Sequence, residues 1–91
     1  MALYPDVIGS LLASCEAYEK RELELDALKA RVWEASCVIV AYEERDLRQL
    51  LMRAEGEIDS IQFTTDDDKI FGRTLDVVRQ LKEALWANLA A

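Results

Sequence analysis

The chain has 91 residues, of which 52% are hydrophobic and 32% charged, and its formal net charge is −7. This length allows one domain, residues 1–91, and excludes two, and the composition is that of a folded chain. The acidic excess argues against direct binding to nucleic acid or to anionic membranes, because both require Lys and Arg on the protein. It favours a basic protein partner, although solubility alone also explains the charge and is the slightly preferred interpretation.

Helix-forming residues dominate, and one proline with three glycines leaves too few turn residues for a protein of many strands. A first helix is predicted over residues 5–19, because Pro5 suits the first turn and Asp6 the positive end of the helix dipole. Its inward face is predicted from apolar residues at helical spacing. These are Val7, Ile8, Leu11, Leu12, Cys15 and Tyr18.

A second helix is predicted over residues 24–36, with Lys29 on its outward face. Apolar residues recur at helical spacing from this helix onward: Leu28, Val32, Ala35, Ile39 and Tyr42. The next position of that stripe is Asp46, which is charged, and a new stripe begins at Leu47. The slip predicts a kink or short loop between about residues 37 and 43, with one continuous helix as the alternative.

A third helix is predicted over residues 43–62 and a fourth over 66–89, separated by the acidic boundary at residues 63–68. Thr65 and Asp68 have the spacing of a capping box, with Asp in place of the usual Glu. On the fourth helix the predicted outward residues are Asp76, Arg79, Lys82 and Glu83. The predicted fold is therefore an all-α, antiparallel four-helix bundle.

Cys15 and Cys37 each lie in an apolar helical stretch, outside any CxxC or metal-ligand spacing. They are interpreted as small buried hydrophobic residues in a reducing compartment, and a disulfide between them is the less favoured alternative. The first residues lack the basic region and the long apolar run of a signal peptide, and no apolar stretch is long enough to span a bilayer. A cytoplasmic location is therefore expected.

The chain contains no histidine and no glycine-rich phosphate loop, so the usual parts of an active site are missing. No enzymatic activity and no cofactor are expected. The run Asp66, Asp67 and Asp68 is compatible with a weak Mg²⁺ or Ca²⁺ site or a patch for basic groups. The favoured interpretation is structural, because acidic residues in a first turn complement the helix dipole and neighbouring aspartates point in different directions.

Two tryptophans are candidates for anchoring a partner, because aromatic residues are enriched at binding hot spots. Trp33 follows Val32 and Trp86 follows Leu85, so each lies at the edge of a predicted core stripe. Closing a small core is the more common role of such residues, and one of the two is expected to be partly exposed.

Residues 54–63, with the sequence AEGEIDSIQF, precede the three aspartates and a helix rich in Leu and Val. This stretch resembles the C-terminal half of colicin-D-type immunity proteins, on the basis of Ile58, Asp59, Phe63 and the acidic run. The resemblance implies a small acidic helical bundle that neutralises an RNA-cleaving toxin by covering its basic substrate-binding site. It also implies that Asp59 and the three aspartates face that partner.

Two functions from different classes are therefore expected. The first is a cytoplasmic inhibitor or immunity protein that binds a basic protein such as a nuclease toxin. Its partner-binding candidates are Glu55, Asp59, Asp66, Asp67, Asp68, Trp33 and Trp86. The second is a structural or assembly protein that forms a homodimeric helical bundle, and an enzyme that uses carboxylates with a divalent metal is the least favoured reading.

Overall fold

The computed structural model describes residues 3–90, which form four α-helices and one short 3-10 helix, with no strand in that range. The α-helices are α1 (Pro5–Glu19), α2 (Leu25–Val38), α3 (Arg45–Thr64) and α4 (Asp67–Ala90), and the 3-10 helix is Tyr42–Glu44. The prediction of an all-α chain with four helices is confirmed. The predicted ends differ from the observed ones by at most two residues.

A single core lies between the four α-helices, each of which contributes apolar side chains to it. The most deeply buried large residues are Ile8, Leu28, Ile39, Leu51, Ile58, Leu81 and Leu85. Backbones pack in the pairs α1–α2, α2–α3, α3–α4 and α1–α4, whereas α1 and α3, and likewise α2 and α4, have no Cα atoms within 8 Å among the described residues. Each helix therefore has two neighbours around one compact core.

Two residues predicted to be apolar core positions are exposed instead. Cys37 lies on the solvent side of α2, because it is about 200° around the helix from buried Ala35. Tyr42 is 73% exposed, because α2 ends at Val38 and the stripe that would have carried Tyr42 inward stops with it. Cys15 is buried as predicted, and both cysteines are free thiols.

The helical structure is interrupted between α2 and α3, so the alternative of one continuous helix is wrong. Ala41 has an extended backbone, and its N–H donates a hydrogen bond of 3.0 Å to the hydroxyl oxygen of Tyr4 in the segment before α1. Nε of Arg48 donates a bond of 3.0 Å to the carbonyl oxygen of Ser36 in the last turn of α2. These side chains satisfy backbone groups that lack helical partners, which stabilises the break.

Two lysines predicted to point outward form ion pairs between helices. Nζ of Lys29 in α2 lies 3.1 Å from Oδ1 of Asp59 in α3, and Nζ of Lys82 in α4 lies 2.8 Å from Oε1 of Glu19 in α1. The hydrogen bond to Glu19 raises the pKa of Lys82. Both lysine side chains are about three-quarters covered, with 25% and 27% of their surface exposed. Their long apolar stems explain this, since they cover apolar surface while the ammonium group finds a carboxylate.

The α1–α2 connection packs against α4 through one aromatic residue. Arg21 has a positive φ of 61°, and its guanidinium carbon lies 3.9 Å from the centre of the Phe71 ring. The ring of Tyr18 is 5.2 Å from that of Phe71. The left-handed conformation of Arg21 belongs to the end of α1, where the N–H of Arg21 donates to the carbonyl oxygen of Tyr18 at 3.0 Å and the N–H of Glu22 to that of Ala17 at 2.8 Å. The cation–π contact adds to this stabilisation.

The residue that precedes α4 is Asp66, one position after the Thr65 of the predicted capping box. Thr65 has an extended backbone and ends α3, and α4 begins at Asp67, so Asp66 occupies the position before the helix. Asp67 and Asp68 lie in the first turn of α4.

None of the helices in residues 3–90 combines the length and the apolar character that crossing a membrane requires.

Candidate protein-binding surface

Three of the predicted partner-binding residues lie together on the α2–α3 face. Trp33 of α2 and Glu55 of α3 line an open groove of about 490 Å³, and Asp59 lies one turn after Glu55 on α3. Trp33 is 50% exposed, so part of its indole ring is accessible from solvent. The remaining lining residues are Asp26, Lys29 and Ala30 of α2. We call this feature the Trp33 groove.

A polar network connects two lining residues of the Trp33 groove, Lys29 and Asp26, to α3. Lys29 donates to Oδ1 of Asp59 and to Oε1 of Gln62, each at 3.1 Å. The amide nitrogen of Gln62 in turn donates to Oδ1 of Asp26 at 2.8 Å. Lys29 therefore bonds two side chains of α3, and Asp26 accepts a bond from a neutral amide without forming an ion pair within residues 3–90.

Glu55 differs from Asp59 in its surroundings. Within residues 3–90, its carboxylate has no hydrogen bond and no ion pair, although it is partly covered. Asp59 is 49% exposed on its side chain and shares its charge with Lys29. Of these two carboxylates, Glu55 is therefore the one more available to a basic group from another molecule.

Asp66, Asp67 and Asp68 form an exposed acidic turn between α3 and α4. The backbone carbonyl of Asp66 accepts from the N–H of Lys69 at 2.8 Å, which closes the first turn of α4. This geometry fits the structural interpretation, in which negative side chains complement the helix dipole. Across the described part of the chain, no group of three or more Cys, Asp or Glu residues is arranged to hold a metal ion.

Trp86 is separate from the Trp33 groove. It is 54% exposed on α4, and the α4 backbone does not approach that of α2. The expectation that one tryptophan is partly exposed is therefore exceeded, because both are. The two indole rings belong to different faces and cannot be assigned to one binding surface by proximity.

Sequence patterns did not single out Asp26 and Lys29 as site residues. The signal was present, because Asp26, Ala30 and Trp33 are spaced four and three residues apart and so share one face of α2. The sequence does not predict that α3 packs beside α2 and brings Glu55 to the same groove.

A second groove, of about 570 Å³, was also not predicted from the sequence. It lies between α1 and α2 and is lined by Val7, Leu11, Ala35 and Val38 with polar neighbours.

Comparison of the chain with protein-family models, curated proteins and solved structures found no match. The residues that carry the resemblance to colicin-D-type immunity proteins occupy different environments in the fold. Ile58 is fully buried in the core, Asp59 pairs with Lys29, and Phe63 is 79% exposed. Ile58 therefore serves packing, while Asp59 and Phe63 are accessible to a partner.

Proposed function

We propose that this protein is a small acidic binding module, an inhibitor or immunity protein that neutralises a basic nuclease toxin by occupying its substrate-binding cleft. The observation that carries the proposal is the Trp33 groove, which is lined by the half-exposed Trp33 and by Glu55, whose carboxylate forms no ion pair within residues 3–90. Aromatic residues of this kind act as anchors in protein interfaces. The net charge of −7 surrounds that anchor with a field that attracts basic proteins.

The scaffold of this surface is proposed to be an antiparallel four-helix bundle. Cross-helix contacts support it, because Asp26 and Lys29 of α2 contact Gln62 and Asp59 of α3, so residue numbers rise along one helix as they fall along the other. The contact of Asn88 in α4 with Glu44, just before α3, follows the same rule. In this arrangement the acidic turn at residues 66–68 lies at the same end as the start of α2 and extends the surface around the groove.

The physical logic is competition with phosphate. A nuclease that grips RNA presents Lys and Arg in its cleft, because phosphate contacts supply most of the affinity for nucleic acid. Carboxylates on a stiff helical scaffold occupy those same groups, and opposite charges speed the encounter. Such an inhibitor acts in the cytoplasm, where the toxin's RNA is, and needs no bond-making residues of its own.

The proposal is tested with the product of the gene adjacent to this reading frame. We expect co-expression of this protein to restore growth to cells that express the neighbouring toxin, and the purified protein to block RNA cleavage in vitro. The association rate should fall at least about tenfold between 50 and 500 mM NaCl, because steering is screened by salt. A neighbouring product that is neither toxic nor bound would reject the inhibitor function.

Paired variants locate the interface. We expect Glu55→Gln with Asp59→Asn to weaken inhibition by roughly tenfold, since each exposed ion pair with the partner is worth up to about 1 kcal/mol. The control is Asp76→Asn with Glu83→Gln, which removes the same charge from exposed positions of α4. Equal losses in both double variants would assign the effect to net charge and not to the α2–α3 face.

The alternative function is a homodimeric assembly protein, and one observation favours it. Val38, Val40 and Tyr42 are 49%, 64% and 73% exposed around the α2–α3 break, an unusual concentration of apolar surface on one connection. Sedimentation or light scattering across a hundredfold range of concentration decides between the two. A stable dimer that Val40→Asp with Tyr42→Asp dissociates supports assembly, and a monomer at every concentration removes it.

A further inference from the structure

The Trp33 groove has the composition of a site for one cationic side chain. On α2 it is lined by Trp33, which is 50% exposed, and by Ala30, whose side chain is small. Carboxylates lie on both helices, Asp26 on α2 and Glu55 on α3. An aromatic face with flanking carboxylates attracts a cation both through the ring quadrupole and through charge.

The only cation among the lining residues does not fill this site. Lys29 is held 3.1 Å from both Asp59 and Gln62, and its side chain is only 25% exposed. Its charge is therefore balanced by Asp59, outside the set of groove-lining residues. Asp26 and Glu55 form no ion pair within residues 3–90, since the bond from Gln62 to Asp26 comes from a neutral amide.

We infer that the Trp33 groove receives an arginine side chain of the partner, with the guanidinium stacked on the Trp33 ring and paired with Glu55. This inference rests on the proposed function and adds the identity of the group recognised. Arginine fits better than lysine, because a guanidinium is planar, weakly hydrated and able to bond a carboxylate through two N–H groups while it stacks. A lysine ammonium is compact and strongly hydrated, and gains less from the ring face.

Short peptides test the inference without the natural partner. Hexa-arginine and hexa-lysine are titrated into the full chain at low salt, and the two indole N–H resonances are followed by NMR after assignment with Trp33→Phe and Trp86→Phe. We expect hexa-arginine to shift the Trp33 resonance and to leave that of Trp86 unchanged. We also expect it to bind roughly threefold or more tightly than hexa-lysine, in line with the size of a cation–π contact.

Substitutions separate the groove from general electrostatics. We expect Glu55→Gln and Trp33→Leu each to weaken hexa-arginine binding by roughly three- to tenfold, while Trp33→Phe, which keeps an aromatic face, retains most of it. Glu83→Gln, an exposed position on α4, is the charge-matched control and should leave the affinity nearly unchanged. Circular dichroism confirms that each variant keeps its helices.

The outcomes separate this inference from the proposed function. Equal loss in Glu55→Gln and Glu83→Gln, equal binding of the two peptides, or a shift of Trp86 in place of Trp33 would overturn the arginine site. Failure of hexa-arginine to bind at low salt would also overturn it. None of these results touches the growth-rescue experiment, whose failure would reject the inhibitor function whether or not the groove binds arginine.

Discussion

Cys15 and Cys37 show how strongly position on a helix decides the chemistry of one side chain. Cys15 is fully buried in α1, and burial, with a smaller contribution from the charge of Glu19, raises its pKa to about 11. Cys37 is exposed on α2, so solvent reaches its sulfur. Since the thiolate is the reactive form, the two thiols should differ in reactivity although the sequence places both in apolar stretches.

This difference is measurable by thiol labelling of the native protein. At pH 7.5 we expect one thiol to react rapidly with an aromatic disulfide reagent, and a second only after denaturation. Cys37→Ser should abolish the rapid reaction, whereas Cys15→Ala should leave it intact and lower stability through the cavity it creates, by about 1–2 kcal/mol. Rapid labelling of Cys15 in the Cys37→Ser variant would contradict the buried position.

At the scale of elements, hydrophobic periodicity predicted the four helices because each has one consistent apolar face. The charged residue Asp46 at an expected apolar position indicated the interruption between α2 and α3. The details of that break were beyond the sequence, because Tyr4 and Ala41 are 37 residues apart and meet only when the helices pack. The ion pairs of Lys29 and Lys82 could not be predicted for the same reason. A lysine at the edge of a helix face is predicted to be solvated from the sequence, and only the packing of a neighbouring helix shows that it is partly covered.

The Tyr4 hydroxyl gives a direct test of how the break is stabilised. Tyr4→Phe removes the acceptor for the Ala41 N–H, and we expect a loss of about 1 kcal/mol in the free energy of unfolding, as for a typical partly buried hydrogen bond. Tyr42→Phe is the matched control. The Tyr42 side chain is 73% exposed, and its hydroxyl makes no hydrogen bond within residues 3–90, so it should have almost no effect. Urea unfolding followed by circular dichroism measures both, and equal effects would contradict the role given to Tyr4.

For the whole molecule, repulsion among the excess negative charges is expected to outweigh the attraction within ion pairs. The described residues contain three ion pairs, of which only Lys29–Asp59 and Lys82–Glu19 join different helices, against a net charge of −7 for the chain. Like charges that repel across a compact surface destabilise the folded state, and salt screens that repulsion. The molecule should therefore behave as an acidic body that a basic partner or added salt stabilises.

This balance predicts the response of stability to ionic strength. Raising NaCl from 20 to 200 mM should increase the free energy of unfolding, by on the order of 1 kcal/mol, since more repulsion than attraction is screened. The triple variant Asp66→Asn, Asp67→Asn and Asp68→Asn should show a shallower dependence. A fall in stability over this range would mean that the ion pairs outweigh the repulsion.

Part of the candidate surface was also predictable from the sequence. Residue type and charge predict Trp33 and Glu55, the resemblance to colicin-D-type immunity proteins implies Asp59, and the fold brings all three to one face. Residue type also predicts Trp86, which lies on a different face. The acidic run and the resemblance point to the aspartates at residues 66–68, which lie at the start of α4 and not among the residues that line the groove. Residue type identifies candidates, whereas the packing of helices decides which of them share a surface.

The exposed link between α2 and α3 also divides the chain into two parts of similar size. The aromatic side chain of Tyr42 stands in solvent at this link, where a protease that cuts after aromatic residues can reach it. One cut there would leave α1 and α2 on one fragment and α3 and α4 on the other. Because side chains from both fragments fill the same core, the nicked halves would stay joined without a peptide bond between them.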